Sequence, residues 1–258
     1  MTSSSSPVPH IDPAASAPAG TPAPASAAVS GDARAADATS LPATERWRRA
    51  LGALAKVVAD PDRTDQVLEF GIYANAGTMK SRIHRFYDDP RGRRLYEERR
   101  TLDSKTVDLD ALGRLPVGTL GRAYADFMRS RGITPEVFDG APVQVADPRI
   151  AYVVQRIRQT HDLWHVVTGY ETDASSEVVL QAFTFAQVQA PSSAIIALAG
   201  TLRGLRARPA LPRDVIAAFR AGRRAERLAT FLWEDHWETP LATVREMLGI
   251  RALARAAA

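Results

Sequence analysis

The chain contains no cysteine. That excludes disulfides, thiolate nucleophiles, Cys-ligated zinc and iron–sulfur clusters, so any bound metal must be held by His, Asp and Glu. Also missing is any apolar run near the ~20 residues that a membrane-spanning helix needs. The segment from Ala194 to Ala199 is far shorter, and the expectation is a soluble or peripheral protein. No basic motif interleaved with aromatics occurs, which argues against a nucleic-acid partner. Strand-like alternation and internal repeats are absent as well.

What is present is 258 residues, 45% of them hydrophobic, enough to bury a sizeable core. Residues 1–44 differ from the rest. They are Ala, Ser, Pro and Gly with almost no large apolar side chain, which cannot offset ordering entropy, so a disordered head is predicted. A secretory signal needs a basic start and an apolar block, and a mitochondrial presequence should be Arg-rich and free of acids. The head has neither pattern, with Asp12, Asp32 and Asp37 against Arg34. This predicts a bacterial cytoplasmic location, extending to the inner face of the membrane, and does not support a mitochondrial one. The net charge is +4, with eight arginines between Arg203 and Arg227. These read first as solvated helix faces, then as a contact for an anionic membrane or a phosphate-bearing ligand.

From residue 45 to 258 the patterning is helical, and the predicted fold is one all-α domain. Trp47, Leu51, Leu54 and Val58 form one stripe, and Thr64 reads as the cap of a second helix. Asp89-Pro90, Asp147-Pro148 and Thr239-Pro240 have the form of helix starts, and another helix runs from about Thr119 to Gly132.

Residues 158–177, RQTHDLWHVVTGYETDASSE, carry the chemistry. His161 and His165 are four apart on one helix, a net rotation of about 40° and a climb of about 6 Å, so both imidazoles can reach one cation. Asp162 borders that face. A continuous helix would carry Glu177 about 24 Å beyond His161, so Glu177 joins only if the chain turns back. Gly169 supplies a stop, and Asp173, Ser175 or Ser176 can cap a second helix with Glu177 in its first turn. The result is a metal-binding helical hairpin. The zinc-peptidase pattern HExxH places a general-base Glu beside its first His. Asp162 is one methylene shorter, which disfavours peptidase chemistry and leaves it either a ligand or the orienter of one. Arg158, four residues earlier, is expected to pair with Asp162. His236, in WEDHWE, lacks the spacing of a di-iron site and reads as structural.

The string HDLWHVVTGYETDASSE, with eleven residues between the second His and the Glu, resembles the signature of the coenzyme Q biosynthesis protein 4 family. LPVGTLGRAYADFM, RIRQTHDLWHVVTGY and WEDHWETPLATVREMLGI are similar to further family segments, and the likeness covers about residues 46–252. The resemblance implies an all-α fold and a divalent metal, usually zinc, on His161, Asp162, His165 and Glu177. It implies action in ubiquinone biosynthesis at the membrane, within an assembly of biosynthetic enzymes. The implied activity is removal of the carboxyl group from a polyprenylated hydroxybenzoate, with oxygen arriving at the vacated ring carbon. Zinc cannot exchange electrons, whereas a ferrous site of two His and a carboxylate can activate oxygen, so Fe(II) is the alternative metal.

Arg158 or Arg156 is the candidate receiver of the substrate carboxylate. An apolar groove for the prenyl tail is expected near Trp164, Phe183 and Ile195, which also read as ordinary core. The competing function is a non-catalytic lipid-binding scaffold that organises quinone-biosynthesis enzymes. A metal-dependent hydrolase is a third, weaker reading. A homo-oligomer is expected from the basic amphipathic helices.

Overall fold

A computed structural model describes residues 38–59, 63–139 and 147–251. The segment predicted as a disordered head falls outside these up to residue 37. The part that is described corrects its boundary: Ala38 is buried and Leu41 packs beside it, so the folded domain begins before residue 45. Among the described residues every regular element is helical, and the only bridge joins Thr119 to Pro240.

Helices α1 (Ala43–Ala59) and α2 (Thr64–Asn75) pack on each other. Only part of the predicted stripe on α1 faces inward: Leu54 packs on the core, but Trp47 is 40% and Leu51 57% exposed, while Ala50 and Ala53 are buried against Phe70, Tyr73 and Ala74. Alanines let two helix backbones approach, and large residues at those positions would hold them apart. The side chain of Val58 lies outside the described residues. Thr64 is the first helical residue of α2 rather than its cap; Arg63 holds the cap position, with no side-chain cap bond.

The aspartate–proline starts behave as expected. Between α3 (Met79–Asp88) and α4 (Pro90–Glu97), Asp89 accepts a hydrogen bond from the Arg91 amide at 2.9 Å. Asp108 caps the short α5 (Leu109–Gly113), and Thr119 caps α6 (Leu120–Ser130), accepting from the Arg122 amide. Asp147 opens α7 (Pro148–Thr168) by accepting from the Arg149 amide at 2.8 Å. Then follow α8 (Ala174–Val188), α9 (Pro191–Gly204), α10 (Leu211–Arg224) and α11 (Leu241–Met247). The last begins one residue after the predicted Thr239-Pro240 start, because Thr239 turns its hydroxyl toward His236 instead.

The main core is built where α6, α7, α8, α10 and α11 meet, around Tyr124, Met128, Leu163, Trp164, Phe183, Ala218, Trp233 and Val244, all fully enclosed. Burying a side chain of this class contributes about 1.5–3 kcal/mol. α8 packs most closely on α10, and Gly222 sets that approach. A Cβ there would come within 2.7 Å of the Phe183 carbonyl and 2.9 Å of Ala186. Gly222→Ala is therefore expected to destabilise by roughly 2 kcal/mol through overpacking, despite alanine's better helix propensity. Denaturant unfolding followed by circular dichroism measures this, and an unchanged or raised midpoint contradicts the packing account.

Candidate metal centre

The site is assembled by one turn. α7 stops at Gly169, whose left-handed φ of 77° suits a residue without Cβ. Its amide donates to the His165 carbonyl at 2.8 Å. Two further carbonyls of that last turn, Val166 and Val167, accept from Arg245 of α11 at 2.9 and 2.8 Å, placing a cation where the helix end carries partial negative charge. After four residues Asp173 caps α8 by accepting from the Ser175 and Ser176 amides. Of the three capping candidates Asp173 holds the cap, and Glu177 falls in the first turn of α8.

This returns Glu177 to the His pair. One carboxylate oxygen lies 3.1 Å from His165 Nε2 and the other 3.9 Å from His161 Nε2. The two imidazoles stand at right angles, ring centres 5.0 Å apart. One ligand atom from each of the three residues lies within 4.8 Å of the other two. Around a tetrahedral zinc with bonds of ~2.0–2.1 Å, ligand atoms are separated by ~3.3 Å, so a small closure would let the three share one ion. Two imidazoles and a carboxylate, with Glu177 over a third exposed, match a three-ligand site open to water. The same donors suit ferrous iron.

His165 is held on its other side as well. Its Nδ1 lies 3.0 Å from the Tyr170 carbonyl, so that nitrogen carries a proton and Nε2 faces the centre. The Phe127 ring stacks on the imidazole at 5.6 Å, and the Arg131 guanidinium lies 3.8 Å above Phe127. Arg131 also holds the turn, bonding Glu171 at 2.8 Å and Thr172 at 3.0 Å. Neither Tyr170, Phe127 nor Arg131 was anticipated from sequence. Tyr170 acts through its backbone, which no side-chain pattern reports, and Phe127 reads as one more apolar residue of α6.

The two histidines differ in protonation. Burial pushes His161 down to about 4, aided by His165 and opposed by Glu177. Burial also works against charge on His165, but its hydrogen bond to Glu177 prevails and raises it. Without a cation, a proton on His165 Nε2 bridges to Glu177.

Asp162 lies beside this group rather than within it: it is not among the three residues whose ligand atoms converge. Burial, reinforced by Glu177 and opposed by His165, raises its carboxyl to about 6.

The expected partners of the site are arranged otherwise. Arg158 does not pair with Asp162; it donates to the Val137 carbonyl at 2.6 Å, and burial lowers its pKa. Arg156 is 1% exposed and gripped by both oxygens of Glu234, at 2.5 and 3.0 Å, and by the Phe231 carbonyl. Its guanidinium is held in an internal ion pair. Trp164 and Phe183 are enclosed core, ring centres 6.5 Å apart, and Ile195 packs with the α1–α2 cluster, so these three line no common groove. His236 stacks on Phe231 at 4.9 Å, as a structural residue.

The family described as "Coenzyme Q (ubiquinone) biosynthesis protein Coq4" matches residues 37–254. The mitochondrial ubiquinone biosynthesis protein COQ4 of Coprinopsis cinerea is 33% identical over 202 residues, 77% of this chain and 69% of that protein. The human mitochondrial COQ4 homologue is 34% identical over 206 residues, 79% and 77% of the two chains. A crystal structure of a provisionally named ubiquinone biosynthesis protein from Nostoc punctiforme superposes with a TM-score of 0.65 at 27% identity, covering 80% of this chain and 98% of that one. The naming of the curated relatives as mitochondrial overturns the expected bacterial cytoplasmic location. The composition of residues 1–44 alone was too weak a basis for it.

The His161 shift has a testable sign. Its folded pKa is depressed, so between the ordinary value of 6.5 and about 4 the unfolded metal-free chain binds a proton that the folded one refuses. Stability from this group is full above pH 6.5 and falls toward pH 4. His161→Gln, which removes the group, is expected to gain ground on the wild type as pH drops from 7 to 5 in denaturant titrations of chelator-treated protein. The slope stays below the ~1.4 kcal/mol per pH unit of a full proton, because a third of the side chain still meets water. A pH-independent difference contradicts it.

Proposed function

The chain belongs to the coenzyme Q (ubiquinone) biosynthesis protein Coq4 family, and from that premise we propose that its His161–His165–Glu177 centre is a divalent-metal site for removing the carboxyl group of a polyprenylated hydroxybenzoate. The family acts in ubiquinone biosynthesis. The observation that carries the finer reading is the convergence of two oriented imidazoles and one carboxylate on a half-open face, with a second carboxyl, Asp162, beside them. The preferred ion is zinc, with Fe(II) as the alternative. When bound, the cation supplies a Lewis acid that draws off the negative charge of an adjacent carboxylate and phenolate.

The residues then divide the work. His165 presents Nε2 because the Tyr170 carbonyl holds its other nitrogen. Glu177 and His161 complete the donor set from the two arms of the hairpin. Asp162, beside the donor set, is placed to pass a proton to or from the reacting group as a general acid or base. In the oxidative form of the reaction the ring–carboxyl bond breaks, carbon dioxide leaves and a carbon–oxygen bond forms at that carbon. Water supplies that oxygen, and the two electrons lost by the ring pass to dioxygen, which leaves as hydrogen peroxide. The alternative within the same proposal is Asp162 as a fourth metal ligand, in which case its carboxylate stays ionised and does not carry the proton.

A second reading, a lipid-binding scaffold, is favoured by one surface. Leu198, Leu202 and Leu205 are 63%, 66% and 42% exposed at the end of α9, among exposed Arg203, Arg206 and Arg208. An apolar strip flanked by cations suits a membrane interface with anionic lipids. No helix among the described residues is long and apolar enough to cross a membrane.

The readings part on turnover. Metal-loaded protein given a carboxyl-labelled prenylated hydroxybenzoate is expected to release labelled carbon dioxide. His165→Ala is expected to lose at least 100-fold of that release with unchanged helicity. Inert wild type that still captures prenyl lipid would favour the scaffold. Elemental analysis of protein purified without added metal, with and without air, separates zinc from iron.

A further inference from the structure

Three arginines converge on a cavity that neither of those readings uses. It lies between α3, α7, the end of α8 and the turn Leu228–Thr230, and encloses about 40 Å³. That exceeds the ~10–15 Å³ that one water needs. Arg82, Arg85 and Arg227 line it together with Phe86, Val153 and Ile157.

None of the three arginines has a carboxylate partner among the described residues. Arg82 Nε donates to the Val188 carbonyl at 3.0 Å, and Arg227 Nη1 to the Arg85 carbonyl at 2.7 Å, both neutral acceptors. Arg85 Nη1 is closed off from solvent with no hydrogen-bond partner at all. The acids that could have neutralised them are engaged elsewhere: Asp89 and Glu226 both bind Arg91, at 3.0 and 3.3 Å. Desolvation lowers Arg82 to about 10, and desolvation together with Arg227 lowers Arg85. Arg227 is exposed and Arg85 half-buried, so the cost of leaving these cations without acids falls chiefly on Arg82 and on the enclosed Nη1 of Arg85. The chain elsewhere avoids that cost by pairing, as with Arg156 and Glu234.

We infer that the Arg82–Arg85–Arg227 cavity is a binding site for a phosphate-class oxyanion, either inorganic phosphate or the phosphomonoester headgroup of a lipid. A dianion fits the charge better than a monocarboxylate, because up to three cations meet there. Arginine's planar fork also matches phosphate oxygens two at a time.

The test uses the full-length protein. Thermal unfolding is followed against sodium phosphate, with sodium chloride at matched ionic strength, and sedimentation is followed with vesicles containing phosphatidic acid. Wild type is expected to gain several degrees from phosphate, saturating with concentration, or to co-sediment with the vesicles. Arg85→Gln, and separately Arg82→Gln, should weaken that response at least tenfold, whereas Arg114→Gln, at an exposed arginine outside both the cavity and the α9 strip, should leave it intact. Because the substitution removes an unpaired charge, Arg85→Gln should be no less stable than wild type without phosphate, which separates lost binding from misfolding. A phosphate response assigns the site to the free anion; a vesicle response alone, still lost in Arg85→Gln, assigns it to a headgroup. A response shared by Arg85→Gln, one matched by chloride, or none from either probe overturns the inference.

Discussion

The imidazole of His165 is held at both nitrogens by the turn that follows it. Nδ1 meets the Tyr170 carbonyl at 3.0 Å, and Nε2 meets Glu177 at 3.1 Å. These contacts span the end of one helix, the connecting loop and the start of the next, so the ring acts as a strut across the reversal. Shifting the loop by one residue would remove Tyr170 from reach and rotate Glu177 about 100° around α8. The centre therefore depends on the length of one connection, fixed by Gly169 at one end and Asp173 at the other. Arg245 and Arg131 brace that connection from α11 and α6.

That strut has an electrostatic consequence. His161 is pushed toward the neutral form by burial and by its neighbour, while His165, also opposed by burial, is raised through its bond to Glu177. A neutral imidazole is a ready ligand; a proton shared between an imidazole and a carboxylate occupies the position that a cation would take. Metal binding at such a centre releases that proton, so affinity is expected to follow pH.

Much of this was legible in the sequence because it is local. The four-residue His spacing, the glycine stop and the acidic cap act within a few residues of themselves, and α7 and α8 run as their signals indicate. What the sequence did not disclose is tertiary. Arg158 lies at helical spacing from Asp162, yet a free carbonyl at Val137 draws it across to another segment. Arg156 reads as a candidate receiver of the substrate carboxylate until Glu234, 78 residues away, encloses it. The Trp47–Leu51 stripe has the helical period, but α1 turns its alanines inward because close approach to α2 favours small side chains. Periodicity states that a helix has two faces; the partner decides which one is buried.

The treatment of cations in this chain follows one rule with a local exception. On α7, burying Arg156 without a partner would be prohibitive, and the bidentate Glu234 contact plus a carbonyl brings that cost within reach. The pair is weak evidence for stability, since well-packed apolar residues of equal volume often do as well. Its effect is positional: it fixes the Trp233–His236 turn against α7 five residues before His161 and so sets the helix that carries the imidazoles. Val153 and Ile157 of the same helix face Arg82 and Arg85, where the chain supplies no counter-charge. A domain that neutralises a buried arginine on one side of a helix and leaves others without acids on another has the two cases under different constraints. In the first the counter-ion is part of the fold; in the second it has to come from outside.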